Sequence, residues 1–161
     1  MIKITPDLTG VKRLISKVFK ASTDMSPVTV KLAGILHNAV EENFAKEGRP
    51  KWSPLAKATI KQRTREKRWP GKILQRSGRL ASSISARHDA MSAEVGTNVK
   101  VKGGYLLGAI HQFGTKPRTG ATRSLFSKKG RTGIPARPFL KLTKEDIQDM
   151  NVILKRYLDN L

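Results

Sequence analysis

Ser82-Ser83-Ile84-Ser85-Ala86-Arg87-His88-Asp89-Ala90, followed by Ala93-Glu94-Val95-Gly96-Thr97-Asn98-Val99-Lys100-Val101, decides the fold class. Ile84, Ala86 and His88 alternate with Ser83, Ser85 and Arg87, the period of a strand with one covered face. A short link around Ala90-Met91-Ser92 closes the two segments into a hairpin. The segments on either side are dominated by helical spacing. The pattern therefore predicts an α+β chain: a small antiparallel sheet packed by N-terminal and C-terminal helices.

Upstream, Leu8, Val11, Leu14, Ile15, Val18 and Phe19 predict a helix over 7–20, with Asp7 as its cap after Pro6. Ser26-Pro27 opens a second helix, with Ser as cap and Pro at the first helical position, where its missing N–H costs nothing. Leu32, Ile35, Leu36, Ala39, Val40 and Phe44 form its apolar stripe, and Gly48 ends it near Lys46. Gly48-Arg49-Pro50-Lys51-Trp52-Ser53-Pro54 is a turn-rich connector. Its Ser-Pro repeats the opening signal and predicts a third helix from Leu55 to about Arg68, closed by Pro70-Gly71.

Downstream, Gly103-Gly104 marks a turn. Tyr105, Leu106, Ala109, Ile110 and Phe113 then fall on one side of a short helix. Residues 116–133 have no periodicity and no acid, which predicts a long basic loop. Ile134-Pro135-Ala136-Arg137-Pro138-Phe139-Leu140 brings the chain back in an extended, proline-stiffened segment. Thr143-Lys144-Glu145-Asp146 caps a terminal helix carrying Ile147, Met150, Ile153, Leu154, Tyr157 and Leu158. Residues 1–161 are expected to form a single domain. Within it, an N-terminal helical segment over 1–25 precedes a core over 26–161 that carries the basic loop 116–133.

The balance of charge narrows the partners. Thirty-two Lys plus Arg against 12 Asp plus Glu give a formal net charge of +20. Such a surface attracts polyanions or acidic proteins. The chain has no cysteine, which excludes disulfides and thiolate metal sites. The N-terminal residues lack the apolar core of a signal peptide, and no run approaches the ~20 apolar residues that cross a bilayer. The expectation is a soluble protein made and used in a cytoplasm, with no membrane partner.

The usual signatures of chemistry are missing. His37, His88 and His111 are far apart and form no helical metal pair, so no metal and no cofactor are expected. Ser77 lacks the preceding glycine of a nucleophile elbow. His111 has no acidic neighbour in sequence to orient it as a base. Gly71-Lys72 is not a phosphate loop. The chain reads as a non-enzyme.

What remains are two basic stretches. Residues 46 to 79 hold twelve Lys or Arg against Glu47 and Glu66. Within them Lys57, Lys61, Arg65 and Arg68 would gather on one helix face, able to lie along phosphates. The basic loop adds Lys116, Arg118, Arg123, Lys128, Lys129 and Arg131. Aromatic residues are sparse in both, so single-strand stacking platforms are not indicated. These ten residues are the candidate contacts to DNA or to an acidic protein.

The strings together resemble a known family. Asn43-Phe44, Glu47-Gly48-Arg49-Pro50, Trp52-Ser53-Pro54-Leu55, Thr59 and Arg63 form one block. Ile73-Leu74, Ser77-Gly78, Leu80, Ser83-Ile84 and Val95-Gly96-Thr97-Asn98 form a second. Ile110-His111-Gln112-Phe113-Gly114 and Ile134 to Leu140 complete the set. In this order, over roughly 26 to 160, they resemble the phage virion morphogenesis or tail completion proteins of Mu-like and related contractile-tailed phages. The lead-in Tyr105 to Ala109 departs slightly from the family's pattern. His111, Gln112, Phe113, Gly114, Pro135, Arg137, Pro138 and Phe139 are its motif residues here.

The resemblance implies a structural subunit of the virion neck, joining filled head to tail, with no catalysis. It implies an α+β ring-forming subunit akin to tail terminators, commonly a hexamer. Its partners would be its own copies, head-connector or portal-side proteins, and tail-terminator or tail-tube proteins. Genome DNA in the channel is a further candidate partner for the charge. The protein would reside in the virion after assembly in the host cytoplasm. The alternative from another class is a freestanding basic nucleic-acid-binding protein.

Overall fold

The computed structural model describes residues 9–115 and 133–160. In chain order it contains α1 (Thr9–Thr23), α2 (Ser26–Ala45), α3 (Lys57–Arg65), β1 (Ser85–His88), β2 (Ala93–Gly96), α4 (Leu107–Phe113) and α5 (Lys144–Asp159). The α+β reading holds, with a two-stranded antiparallel sheet among helices.

Ser85 pairs with Gly96 and His88 with Ala93. The turn between them is tied by Asp89, whose Oδ1 accepts from the amides of Met91 and Ser92 at 2.8 and 2.7 Å. The strands are shorter than the alternation predicts. Side chains take over where the ladder stops: the Ser83 and Thr97 hydroxyls meet at 2.7 Å, and Thr97 Oγ1 accepts from the Val99 amide.

α2 lies against both strands and against α5. Its Val40 and Phe44 join Trp52, Leu80 and Phe139 in the buried core, with Ile84 and Val95 of the hairpin region and Leu107 of α4 packed around them. Trp52 meets Phe44 edge-on with ring centroids 5.9 Å apart, and Phe139 lies 5.4 Å from Phe44. Edge and tilted contacts suit the ring quadrupoles better than a face-to-face stack. Phe139, from the returning segment, is wholly buried.

Arg49 locks the connector to both helices. Its guanidinium donates to the Ala39 carbonyl, to Glu42 and, with both terminal nitrogens, to Asp146, while its Nε donates to Asn43 Oδ1. Asp146 also closes a capping box with Thr143 at the start of α5. Burial raises the Asp146 pKa, but the Thr143 amide, Arg49 and the Thr143 hydroxyl outweigh it and hold the carboxyl below its ordinary value.

Two helix starts differ from the sequence signals. α2 begins at Ser26 itself, with Met25 in the cap position and no side-chain cap, and the Ser26 amide donates to Asp24 Oδ1 at 2.9 Å. α3 begins at Lys57 rather than at Leu55, because the Ser53 and Pro54 carbonyls just before it are held by Arg137. It ends at Arg65, where Lys67 turns to φ 55 and Arg68 folds back onto the Arg63 carbonyl.

Candidate functional site

The site is the place where the basic segment leaves and re-enters the folded body. It is assembled from the returning segment, residues 134–140, and from the groups that hold its backbone. The Arg137 amide donates to the His111 carbonyl at 2.7 Å. Gln112 Oε1 accepts from the amides of Phe139 and Leu140, each at 3.1 Å. Trp52 Nε1 donates to the Pro138 carbonyl at 3.2 Å. Buried Asn43 donates through Nδ2 to the carbonyls of Phe139 and Lys141, both at 2.8 Å. Three distant parts of the chain thus satisfy a segment whose prolines prevent it from joining a sheet.

α4 presents the face opposite to the one its apolar spacing predicts. Leu107 packs on the core, Gly108 is buried, and His111 and Gln112 turn inward. Tyr105, Leu106 and Ala109 are exposed, and Phe113 is 78% exposed. The reason is hydrogen bonding: the buried amides at 139 and 140 need an acceptor, and only the Gln112 side of the helix supplies one.

Gly114 ends α4 with φ +71, and a Cβ there would lie 2.6 Å from the Ile134 carbonyl and 2.7 Å from the Ala136 nitrogen. Only glycine allows this approach. Immediately beyond, the Thr115 amide donates to the Ile134 carbonyl at 2.8 Å, and the Ile134 amide donates to Thr115 Oγ1 at 2.9 Å. The two ends of the basic segment are therefore fastened to each other. Its six candidate cations, Lys116, Arg118, Arg123, Lys128, Lys129 and Arg131, lie outside the described residues.

Beneath this mouth lie two buried guanidiniums. Arg137, 5% exposed, donates from Nε to the Ser53 carbonyl at 2.9 Å and from a terminal nitrogen to the Pro54 carbonyl at 3.0 Å. Arg63 of α3, 4% exposed, donates to the Lys72 carbonyl at 2.9 Å, and its Nε has no partner. Burial lowers both pKa values, reinforced by Arg76 at Arg63 and by Arg63 at Arg137. Both stay charged, because a guanidinium sits far above neutrality. Among the described residues, neither forms an ion pair with a carboxylate. His111 completes the group: burial and then Arg137 push its pKa down, and its buried Nδ1 has no partner.

Of the four helix candidates, Lys57, Lys61 and Arg65 stand exposed on α3, while Arg68 lies exposed beyond the helix end. The effect of Arg63 on Arg137 sets the inner side of α3 beside the returning segment, and Lys57, Lys61 and Arg65 lie on its exposed outer side. Pro135 is exposed and Pro138 half-buried. Sequence reasoning left Arg63, Asn43 and Arg49 without roles. The signal for Arg63 was its position, two residues from Lys61 and so on the opposite side of the helix. Among the described residues no three His, Asp or Glu side chains gather as metal ligands.

The model of the phage virion morphogenesis family matches residues 6–159. Two curated relatives come from Haemophilus influenzae. The Mu-like prophage FluMu G protein 2 is 31% identical over 147 residues, covering 91% of this chain and 88% of the relative. The Mu-like prophage FluMu G protein 1 is 34% identical over 143 residues, covering 86% and 82%. No solved structure matches the chain.

Proposed function

This chain belongs to the phage virion morphogenesis family, and on that basis we propose that it is a tail completion subunit that closes the virion neck as a ring and joins head to tail. A structural role in virion assembly comes with the family; the neck position and the ring are our reading. The observation that supports it most is the fastened mouth at Thr115 and Ile134. A segment with six cations and no acid, anchored at both ends to a rigid body, is suited to reach across a joint between proteins. The exposed cations Lys57, Lys61 and Arg65 add a second positive face on α3. The buried Arg63 and Arg137 add to the positive charge of the body, since among the described residues neither forms an ion pair with a carboxylate.

In a ring each copy presents one patch to a different patch on the next, a contact that closes by rotation. Portal-side and tail-tube neighbours would then meet the two faces of the ring. The facing partner of the basic segment is an acidic protein surface or the genome in the channel.

The test replaces Lys116, Arg118, Arg123, Lys128, Lys129 and Arg131 together by Gln in the phage that carries the chain. The expected outcome is an unchanged melting temperature for the purified protein, with filled heads and complete tails that fail to join. A normal yield of infectious particles contradicts the reading. The net charge of +20 favours one competitor, a freestanding nucleic-acid-binding protein. That reading requires a monomer or dimer that binds DNA with a steep salt dependence and is absent from virions.

A further inference from the structure

We propose that α5 carries a two-fold contact, in which two copies of this chain lay their terminal helices together antiparallel. Glu145, Asp149, Val152 and Arg156 follow one another at spacings of four, three and four, so they share one face of α5. All four are exposed, and Val152 is 42% exposed although it is apolar. The inner side of the helix is occupied: α5 packs there on α2, and Asp146 is held by Arg49. Among the described residues, neither Asp149 nor Arg156 has an ion-pair partner. The outer stripe thus runs from acid through an apolar centre to base.

The groove beside the basic end indicates what this stripe receives. It lies between the start of α2 and the last turns of α5, with a volume of about 490 Å³. Val28, Lys31, Ile153, Arg156 and Tyr157 line it, and no acid does. Its chemistry fits an occupant that brings carboxylates beside an apolar group. In a chain of net +20 most surfaces fail that requirement. The outer stripe of α5 meets it, with Glu145 and Asp149 ahead of Val152. Laid antiparallel, with Val152 of one copy against Ile153 of the second, Asp149 falls opposite Arg156. Glu145 falls opposite Asn160, at the Lys31 side of the groove. The reverse pairs form at the same time, because the stripe is its own complement. Asp149 and Arg156 are about 10 Å apart along the axis, no more than the width of one helix. A single neighbour therefore meets both, which selects a two-fold pair over a head-to-tail chain. Exposed ion pairs add little strength, so they set orientation and register, while Val152, Ile153 and Tyr157 supply the apolar contact.

A two-fold contact does not close a ring, so this inference goes beyond the ring reading and either can fail alone. The test uses the purified full-length chain at physiological ionic strength. Sedimentation should show a dimerisation that Asp149→Arg or Arg156→Asp weakens roughly tenfold or more, since each sets like charges opposite one another twice. Mixing the two variants should restore pairing, because each supplies the charge that the other lacks. Each variant, when dilute, should keep the circular dichroism and melting temperature of the parent. The chain has no cysteine, so a short bismaleimide can probe the centre of the contact. It should yield a covalent dimer from Val152→Cys and not from Lys57→Cys, a control on the exposed side of α3. A monomer at every concentration overturns the proposal. So does self-association that both charge variants leave unchanged, which would place any ring contact on other surfaces. Loss of pairing that the mixture fails to restore overturns it as well, as does equal cross-linking at the two cysteine positions.

Discussion

His111 shows how burial converts a candidate base into a structural group. Its backbone carbonyl holds Arg137, and its ring lies beside that guanidinium with Nδ1 unpartnered. Burial first, then the neighbouring positive charge, push its pKa below the ordinary histidine value of 6.5. The unfolded chain therefore takes up a proton at a higher pH than the folded one. Stability is full above pH ~6.5 and falls as the pH drops toward the depressed folded value. Melting temperature measured between pH 7.5 and 5 should decline, and His111→Gln should flatten that decline without changing the fold. An identical slope in both proteins would remove His111 from this role. Arg49 and Asp146 illustrate the opposite case, a mostly buried pair with side chains 16% and 12% exposed whose hydrogen bonds compensate for desolvation.

At the scale of elements, the returning segment organises its surroundings. Gln112 is the test of that, because one side-chain oxygen serves two amides. Gln112→Leu removes the acceptor and leaves two N–H groups without a partner, a cost of about 1–3 kcal/mol. The expected signature is faster hydrogen exchange at Phe139 and Leu140, with α5 and the hairpin protected as before. Unchanged exchange at those amides would mean that the segment is held by Asn43 and Trp52 alone. The hairpin and α5 were legible in sequence because their signals are local: alternation, a short link around Met91, and a capping box over the four residues from Thr143 to Asp146. The start of α3 and the inner face of α4 were not. The carbonyls that delay α3 answer to Arg137, 84 residues away, and the polar side of α4 turns inward for amides 27 residues away. Apolar periodicity cannot register such distant hydrogen bonds.

For the whole molecule, charge and architecture have to be read together. A net charge of +20 alone suits any polyanion binder. The folded body adds three features: a fastened mouth, two buried guanidiniums with no carboxylate ion pair among the described residues, and an amphipathic α1. The order of strings that resembled tail completion proteins is matched by the family model over 6–159, so kinship was legible from residues alone. The place in the particle was not, because the contacts that define it lie between chains. Cryo-electron microscopy of purified virions, at a resolution that identifies side chains in the head–tail joint, tests the neck assignment most directly. The expected map contains this chain as a closed ring between portal-side and tail-tube proteins, with the mouth at Thr115 and Ile134 turned toward a neighbour. A joint built without this chain, or its absence from both virions and tail intermediates, contradicts that assignment.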